Sequence, residues 1–232
     1  MSSKLIIALD FPEANKAMQF VNQLSPAECK LKIGFELFIS AGPEIVKQLT
    51  EKGFDIFLDL KFHDIPNTVA SVCKAAAKLD VWMMNVHASG GSKMMSAAVE
   101  ALNGFEQPPK LIAVSVLTSM TDDQLQQLGV NAIAENQVAR LAKLAKQSGL
   151  DGMVCSAKEA TLLRELMGEN FLLVTPGIRP LGVEKGDQAR VMTPSEAIKA
   201  GADYIVVGRP ITRSSQPLQV IAEINAELIG AS

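Results

Sequence analysis

The chain has 232 residues, of which 48% are hydrophobic, 20% charged and 5% aromatic, and its formal net charge is −3. This length suits a single α/β domain with a large buried core. The balanced charge and the few aromatic residues exclude a nucleic-acid polymer as partner, which needs a basic surface and stacking platforms. No segment approaches the ~18 apolar residues of a membrane span, so no membrane association is expected.

Three cysteines, Cys29, Cys73 and Cys155, form neither an even set nor a CxxC pair. This usage is typical of buried thiols in a reducing compartment rather than of disulfides or a zinc site. The first residues, MSSKLIIALD, lack the features of a secretory signal. We therefore expect a cytoplasmic protein.

Eight short apolar runs alternate with segments in which apolar residues recur every three or four positions. The runs are typical of strands buried on both faces of a parallel sheet, and the other segments of amphipathic helices. The predicted strands are 5–9, 31–35, 56–60, 83–86, 111–117, 153–155, 172–174 and 204–207. The predicted helices are 14–24, 42–52, 69–79, 91–102, 138–148, 157–167, 194–200 and 217–228.

Strict alternation predicts a parallel sheet with the helices outside it. Eight units of about 29 residues favour an α/β fold that closes into a (β/α)8 TIM barrel, as one domain over 1–232. An open doubly wound sheet is the alternative, although no GxGxxG follows the first strand. The longest irregular region, 178–190, is typical of a functional loop.

Polar residues close the apolar runs, at the end of the strands where barrel enzymes place their chemistry. Asp59 and Lys61 are two residues apart on the third strand, so they share one face, and Asp64 follows them. Asp10 and Lys32 bring further charges to the same end. A purely structural ion pair is the alternative. However, burying so many charges inside a barrel costs more free energy than filling it with apolar side chains. The cluster favours an acid–base site.

Glycine–arginine turns follow the last two strands, as Pro176-Gly177-Ile178-Arg179 and Gly208-Arg209-Pro210. Barrels commonly bind phosphate at these two places. Glycine allows backbone N–H groups to approach an oxyanion, and arginine presents a fork that matches phosphate. The turns predict a phosphorylated small-molecule substrate.

A metal site and serine chemistry have little support. The two histidines, His63 and His87, form no HxxH or HExxH pattern, so no metal is expected. Ser119 and Ser156 have no histidine base at a recognisable spacing.

The stretch 59–68, DLKFHDIPNT, resembles the DxKxxDIPxT signature of the orotidine 5′-phosphate decarboxylase family. Other stretches that resemble the family are ALD at 8–10, KIG at 32–34, NVHASGG at 85–91, LTSM at 117–120, TPGIRP at 175–180, GDQ at 186–188 and VVGRPIT at 206–212. The resemblance is to the bacterial branch. It implies conversion of orotidine 5′-phosphate (OMP) to UMP and CO2 in pyrimidine biosynthesis. It also implies a homodimer of barrels with shared active sites, and neither metal nor organic cofactor.

The resemblance also implies roles for individual residues. Lys61 is the implied proton donor to C6 of the pyrimidine, and Asp59 lies beside the departing carboxylate. Lys32 and Asp10 are implied to contact the ribose and to order the charges. Asp64 is implied to complete this array from the neighbouring subunit.

The remaining implied residues bind substrate. Thr68 reaches the shared site from the neighbouring subunit, and Thr118 corresponds to a position that reads the pyrimidine amide. The implied phosphate grip consists of Arg179, Gln188, Gly208 and Arg209.

Two alternatives remain at this stage. Metal-dependent sugar-phosphate decarboxylases and synthases of related barrels also carry an acidic residue and a lysine on the third strand, but the DIPNT continuation and the missing metal ligands argue against them. A non-catalytic nucleotide-binding barrel would need phosphate and base contacts, but not both Lys61 and Asp59.

Overall fold

The computed structural model describes residues 3–180 and 192–231. Eight parallel strands in these ranges close into a barrel in the order β1 to β8, which confirms the predicted (β/α)8 TIM barrel. The strands are β1 (Leu5–Ala8), β2 (Lys30–Ile33), β3 (Ile56–Phe62), β4 (Met83–His87), β5 (Lys110–Val114), β6 (Gly152–Val154), β7 (Leu172–Pro176) and β8 (Tyr204–Val207).

Helices cover the outside of the barrel. They are α1 (Ala14–Val21), α2 (Phe35–Ala41), α3 (Glu44–Glu51), α4 (Pro66–Ala77), α5 (Gly91–Leu102), α6 (Asp122–Gln127), α7 (Ala134–Gln147), α8 (Ala157–Met167), α9 (Pro194–Lys199), α10 (Arg209–Thr212) and α11 (Pro217–Ala231). Within the described ranges, no helix is long and apolar enough to cross a membrane.

Three short helices, α2, α6 and α10, are absent from the sequence prediction. Helices of four to seven residues complete too few turns to produce a clear helical period. The prediction of a second strand reaching residue 35 is wrong, because Phe35 begins α2. The fifth strand likewise ends at Val114 rather than at residue 117. An apolar run cannot locate these ends, since apolar residues continue past them, with Phe35 in α2 and Val116 and Leu117 in the loop that lines the cavity.

Local sequence explains where several helices begin. Thr121 and Thr193 each cap a helix by accepting a hydrogen bond from the backbone three residues later, in a capping box with Gln124 and Glu196. Helix α4, which follows the strand richest in charges, begins with Pro66, whose fixed φ suits the first helical turn. The chain therefore turns sharply from β3 into α4.

Alternation along the strands separates two cores. Alternate side chains of each strand point into the lumen of the barrel. There they form a compact apolar cluster that includes Ile6, Ala8, Phe57, Met83, Ile112, Val174 and Val206. The intervening side chains, such as Ile7 and Leu58, pack under the helices. Continuing the inward series by two residues leads to Asp10 on the β1 side, Asp59 on β3 and Asn85 on β4. The alternation thus delivers polar side chains to the carboxyl end of the barrel.

The opposite end of the lumen is closed by aromatic packing. Lys30 is buried there, with Nζ 4.5 Å from the ring centroid of Trp82, and it forms an ion pair with Asp55. The Trp82 and Tyr204 rings meet edge to face at 5.0 Å. Lys30 and Lys32 share a face of β2, but only Lys32 reaches the open mouth.

Candidate active site

A cavity of about 260 Å3 lies at the carboxyl end of the barrel. It is slightly below the usual range for small-molecule sites, roughly 300–1,000 Å3. Apolar side chains such as Phe57, Val114 and Val154 form its floor. The cavity brings together eight of the residues predicted for the site: Asp10, Lys32, Asp59, Lys61, Thr118, Arg179, Gly208 and Arg209.

Four of these side chains form a row of alternating charge. Asp59 is at its centre, with Oδ1 2.7 Å from Lys61 Nζ and Oδ2 3.2 Å from Lys32 Nζ. Lys32 Nζ also lies 3.5 Å from Oδ1 of Asp10, which is exposed at the rim. Asp59 itself is only 9% exposed, so each buried charge in this row has an opposite charge beside it.

The surroundings of Asp59 keep its carboxylate ionised. Burial alone would raise the pKa of Asp59, but the positive charges of Lys32 and Lys61 outweigh that effect. Hydrogen bonds from Lys61 and Asn85 to the carboxylate act in the same direction. The pKa of Asp59 is therefore lowered below its ordinary value, and the group carries its charge at neutral pH.

The backbone is irregular where Lys61 enters the site. Lys61 has a φ of +45°, in the left-handed region. Between two matched pairs, Leu58 with Met84 and Phe62 with Val86, β3 advances four residues while β4 advances two. Asp59 and Lys61 do reach the same cavity, as the sequence predicts. They do so because β3 is bulged there, and not because the strand is regular.

Asn85 is a site residue that the sequence reasoning missed. It is fully buried on β4. Its Oδ1 accepts the backbone N–H of Lys61 at 2.7 Å, and its Nδ2 donates to Oδ1 of Asp59 at 2.7 Å. The available signal was a polar residue at an inward position of an otherwise apolar strand.

The two predicted phosphate-binding turns, after β7 and β8, also line the cavity. Gly177 has a φ of +80°, which a residue with a side chain rarely adopts, so the turn after β7 requires glycine. Arg179 lies two residues after Gly177 and is 7% exposed. Its backbone N–H donates to the backbone oxygen of Met192 at 3.0 Å. Arg209 begins α10 immediately after β8. Gln188, with most of the predicted loop 178–190, lies outside the described residues.

Asp64 and Thr68 do not line the cavity of their own chain. Both are exposed, Asp64 in the turn after β3 and Thr68 in the first turn of α4. Oδ1 of Asp64 accepts the backbone N–H of Ile65 at 2.6 Å. The structure thus leaves these two residues outside the lining of the cavity that the other predicted residues form.

The two histidines stack beside the charge row, with ring centroids 5.5 Å apart. Burial lowers the pKa of His87, and the neighbouring His63 and Lys61 lower it further, while Asp59 acts in the opposite direction. His87 is therefore neutral at neutral pH. Within 3–180 and 192–231, no three His, Cys, Asp or Glu side chains form a group that could hold a metal ion.

Comparison with known proteins identifies a family for the chain. Residues 3–224 match the orotidine 5′-phosphate decarboxylase / HUMPS family. The chain is 57% identical to the orotidine 5′-phosphate decarboxylase of Saccharophagus degradans, over 99% of this chain and 96% of the relative. It is 58% identical to that of Psychromonas ingrahamii, over 97% of each.

A solved structure is similar over the same extent. The crystal structure of orotidine 5′-phosphate decarboxylase from Lactobacillus acidophilus has a TM-score of 0.86 and 42% sequence identity, covering 97% of this chain and 98% of the other. Fold, sequence and the residues gathered at the cavity agree. The chain belongs to the orotidine 5′-phosphate decarboxylase / HUMPS family.

Proposed function

We propose that this protein decarboxylates OMP to UMP and CO2 in pyrimidine biosynthesis, with neither metal nor organic cofactor. The observation that carries the proposal is the pairing of Lys61 with Asp59 in a cavity that Arg179 and Arg209 also line. Relatives named orotidine 5′-phosphate decarboxylase, at 57–58% identity over nearly the whole chain, support it.

Lys61 is the proposed acid. When the bond between C6 and the carboxylate breaks, the electron pair stays on C6 in the plane of the ring, where the π-system does not delocalise it. Without an electron-sink cofactor, the protein must stabilise that charge electrostatically. The Lys61 ammonium group faces the developing charge and transfers a proton to C6, which yields UMP. Solvent then returns a proton to the lysine.

Asp59 acts on the ground state in this proposal. Its ionised carboxylate lies beside the substrate carboxylate, and the repulsion between them disappears when neutral CO2 leaves. Lys32 and Asp10 contact the ribose and hold the charge row in order. The distances from Lys32 to both carboxylates support this second role.

The proposed substrate contacts divide between base and phosphate. Thr118 reads the pyrimidine amide from the loop that follows β5. The phosphate is bound by Arg179, Gln188, Gly208 and Arg209. Since the phosphate lies far from C6, its binding energy helps to position the ring against Lys61.

We propose further that the protein works as a homodimer in which Asp64 and Thr68 complete the partner's site. Their exposure outside their own cavity supports this arrangement. Apolar side chains near the same mouth are also exposed, Phe35 at 50%, Ile39 at 79% and Ile65 at 67%. A second barrel packed there would remove them from water.

The proposed location is the cytoplasm. Cys29, Cys73 and Cys155 are free and buried. Burial raises the pKa of Cys29 and of Cys73 to about 12, so both remain unreactive thiols. Such cysteines suit a reducing compartment.

The direct test follows pyrimidine absorbance after OMP is added to purified protein in EDTA. We expect full turnover, with UMP and CO2 formed in equal amounts. Turnover that disappears in EDTA and returns with a divalent cation would indicate the metal-dependent chemistry of related barrels. UMP binding without any turnover of OMP would indicate a non-catalytic nucleotide-binding barrel.

A further inference from the structure

Asn85 connects the two central groups of the site through one rigid carboxamide. It is fully buried, and both ends of its side chain are engaged: Oδ1 with the backbone N–H of Lys61, Nδ2 with the carboxylate of Asp59. Because the amide is planar, these two bonds fix the backbone of Lys61 and the carboxylate of Asp59 relative to each other.

Asn85 lies on β4 where this strand faces the bulge in β3. Two extra residues on β3 interrupt the regular pairing with β4, and Lys61 takes up a left-handed backbone there. A non-glycine residue with this φ persists only when its surroundings hold it. The Asn85 carboxamide supplies the acceptor for the Lys61 N–H, and so stabilises the conformation from which the lysine side chain reaches Asp59.

The same carboxamide also determines how Asp59 is oriented. Oδ1 of Asp59 receives two donors, Asn85 Nδ2 and Lys61 Nζ, each at 2.7 Å, whereas Oδ2 faces Lys32 at 3.2 Å. The carboxylate therefore cannot rotate without losing a bond to β4. This requires a donor at residue 85, which an amide provides and an ionised carboxylate does not.

We propose that Asn85 is a positioning residue for the decarboxylation: it holds Lys61 and Asp59 in the geometry that presents the ammonium group to C6 and the carboxylate to the leaving CO2. The inference rests on the proposed function. Asn85 does not line the cavity, so it acts through its two neighbours rather than on the substrate.

The first test replaces the carboxamide by an apolar group of similar size. In Asn85→Leu, both hydrogen bonds disappear while the volume is nearly conserved. A displacement of about 1 Å in a catalytic group lowers turnover roughly 100-fold, and we expect a decrease in kcat of about that size. The affinity for UMP should not change, because UMP lacks the C6 carboxylate and Asn85 does not itself line the cavity.

The second test is Asn85→Asp, which keeps the shape and introduces a titratable donor. The ionisable side chains in this part of the barrel are Asp10 after β1, Lys32 of β2, Asp59 and Lys61 of β3, His63 in the following turn and His87 of β4. When protonated, the new carboxyl group donates to Asp59 and accepts from the Lys61 N–H, as the amide does. When ionised, it repels Asp59. We therefore expect kcat to be closest to the wild-type value at low pH and to fall as pH rises through the pKa of the new group.

The matched control is Thr175→Val. Thr175 is equally buried on β7, its hydroxyl donates to the backbone oxygen of Tyr204 at 3.3 Å, and it lies outside the cavity lining. This variant should keep wild-type kcat and pH profile. If Asn85→Leu does not fold, the pH profile of Asn85→Asp decides the question.

Three results would overturn the inference while leaving the proposed function intact: unchanged kcat in Asn85→Leu, equal losses of kcat and UMP affinity, or a pH profile of Asn85→Asp that parallels the wild type. A wild-type protein that does not decarboxylate OMP would overturn the proposed function, and this inference with it. Measuring the wild type first therefore separates the two failures.

Discussion

Lys61 Nζ lies 2.7 Å from Oδ1 of Asp59. This contact forms although the backbone of Lys61 is left-handed and β3, which carries both residues, has a bulge in its pairing with β4. The other oxygen of the same carboxylate lies 3.2 Å from Lys32 Nζ. One carboxylate thus forms ion pairs with two lysines in a site that is mostly shielded from water. Each charge depends on the others, and each can be tested by substitution.

The amine of Lys61 should be indispensable for turnover but not for binding. Loss of the acid and of the cation that faces C6 should lower kcat at least about 10,000-fold in Lys61→Ala. UMP binding, measured by calorimetry, should remain detectable because the phosphate contacts are intact. Lys93→Ala, which removes an exposed lysine of α5, is the control. Near-wild-type turnover of Lys61→Ala would eliminate the proposed acid.

Asp59 should stabilise the fold in a pH-dependent way. Its pKa is lower in the folded protein than the ordinary value, so its contribution is complete above the unfolded pKa of about 3.9 and is lost as pH falls through the folded pKa. Asp59→Asn leaves two lysines short of a counter-charge and should lower the free energy of unfolding by about 1–3 kcal/mol at pH 7.

Urea denaturation of both proteins between pH 7 and pH 3 measures this effect. The difference between wild type and Asp59→Asn should be constant down to about pH 4 and shrink below it. Glu106→Gln, which neutralises an exposed carboxylate, should show little difference at any pH. A difference that grows towards acid pH would contradict the lowered pKa.

Arg209 should matter only for substrates that carry a phosphate. Loss of a charge-assisted hydrogen bond of about 1.5–3 kcal/mol corresponds to a roughly 10- to 100-fold decrease in kcat/KM for OMP in Arg209→Ala. Turnover of orotidine, which has no phosphate, should be unchanged. Arg213→Ala, an exposed arginine four residues further on, is the matched control. Equal losses with both substrates would place Arg209 outside the phosphate site.

Shared active sites predict complementation between two inactive variants. In a heterodimer of Asp59→Ala and Asp64→Ala chains, one site carries both substitutions and the other carries neither. Random mixing should therefore restore about a quarter of the wild-type activity, because half of the dimers are mixed and each has one intact site. Subunit exchange is verified by mass spectrometry with one tagged chain. Verified heterodimers without activity would show that Asp64 acts within its own subunit.

Part of the site was visible in the sequence because of strand periodicity. Polar residues at the ends of apolar runs, such as Asp10 and Asp59, are predicted at one end of any parallel barrel, and the structure gathers them there. Asn85 was equally visible as a polar residue in an apolar strand. Its contacts were not, because they depend on the bulge that shifts β3 against β4.

The eightfold alternation, the barrel and the set of charged residues at strand ends can be predicted from the sequence, because they follow from periodicities of two and 3.6 residues along the chain. Which of these charges meet depends on the tertiary structure. Lys30 and Lys32 share one face of β2, yet Lys30 is sealed under Trp82 at the closed end while Lys32 lies 3.2 Å from Asp59 at the open one. Distances between side chains on different strands depend on pairing register and on local bulges, and neither leaves a periodic trace in the sequence.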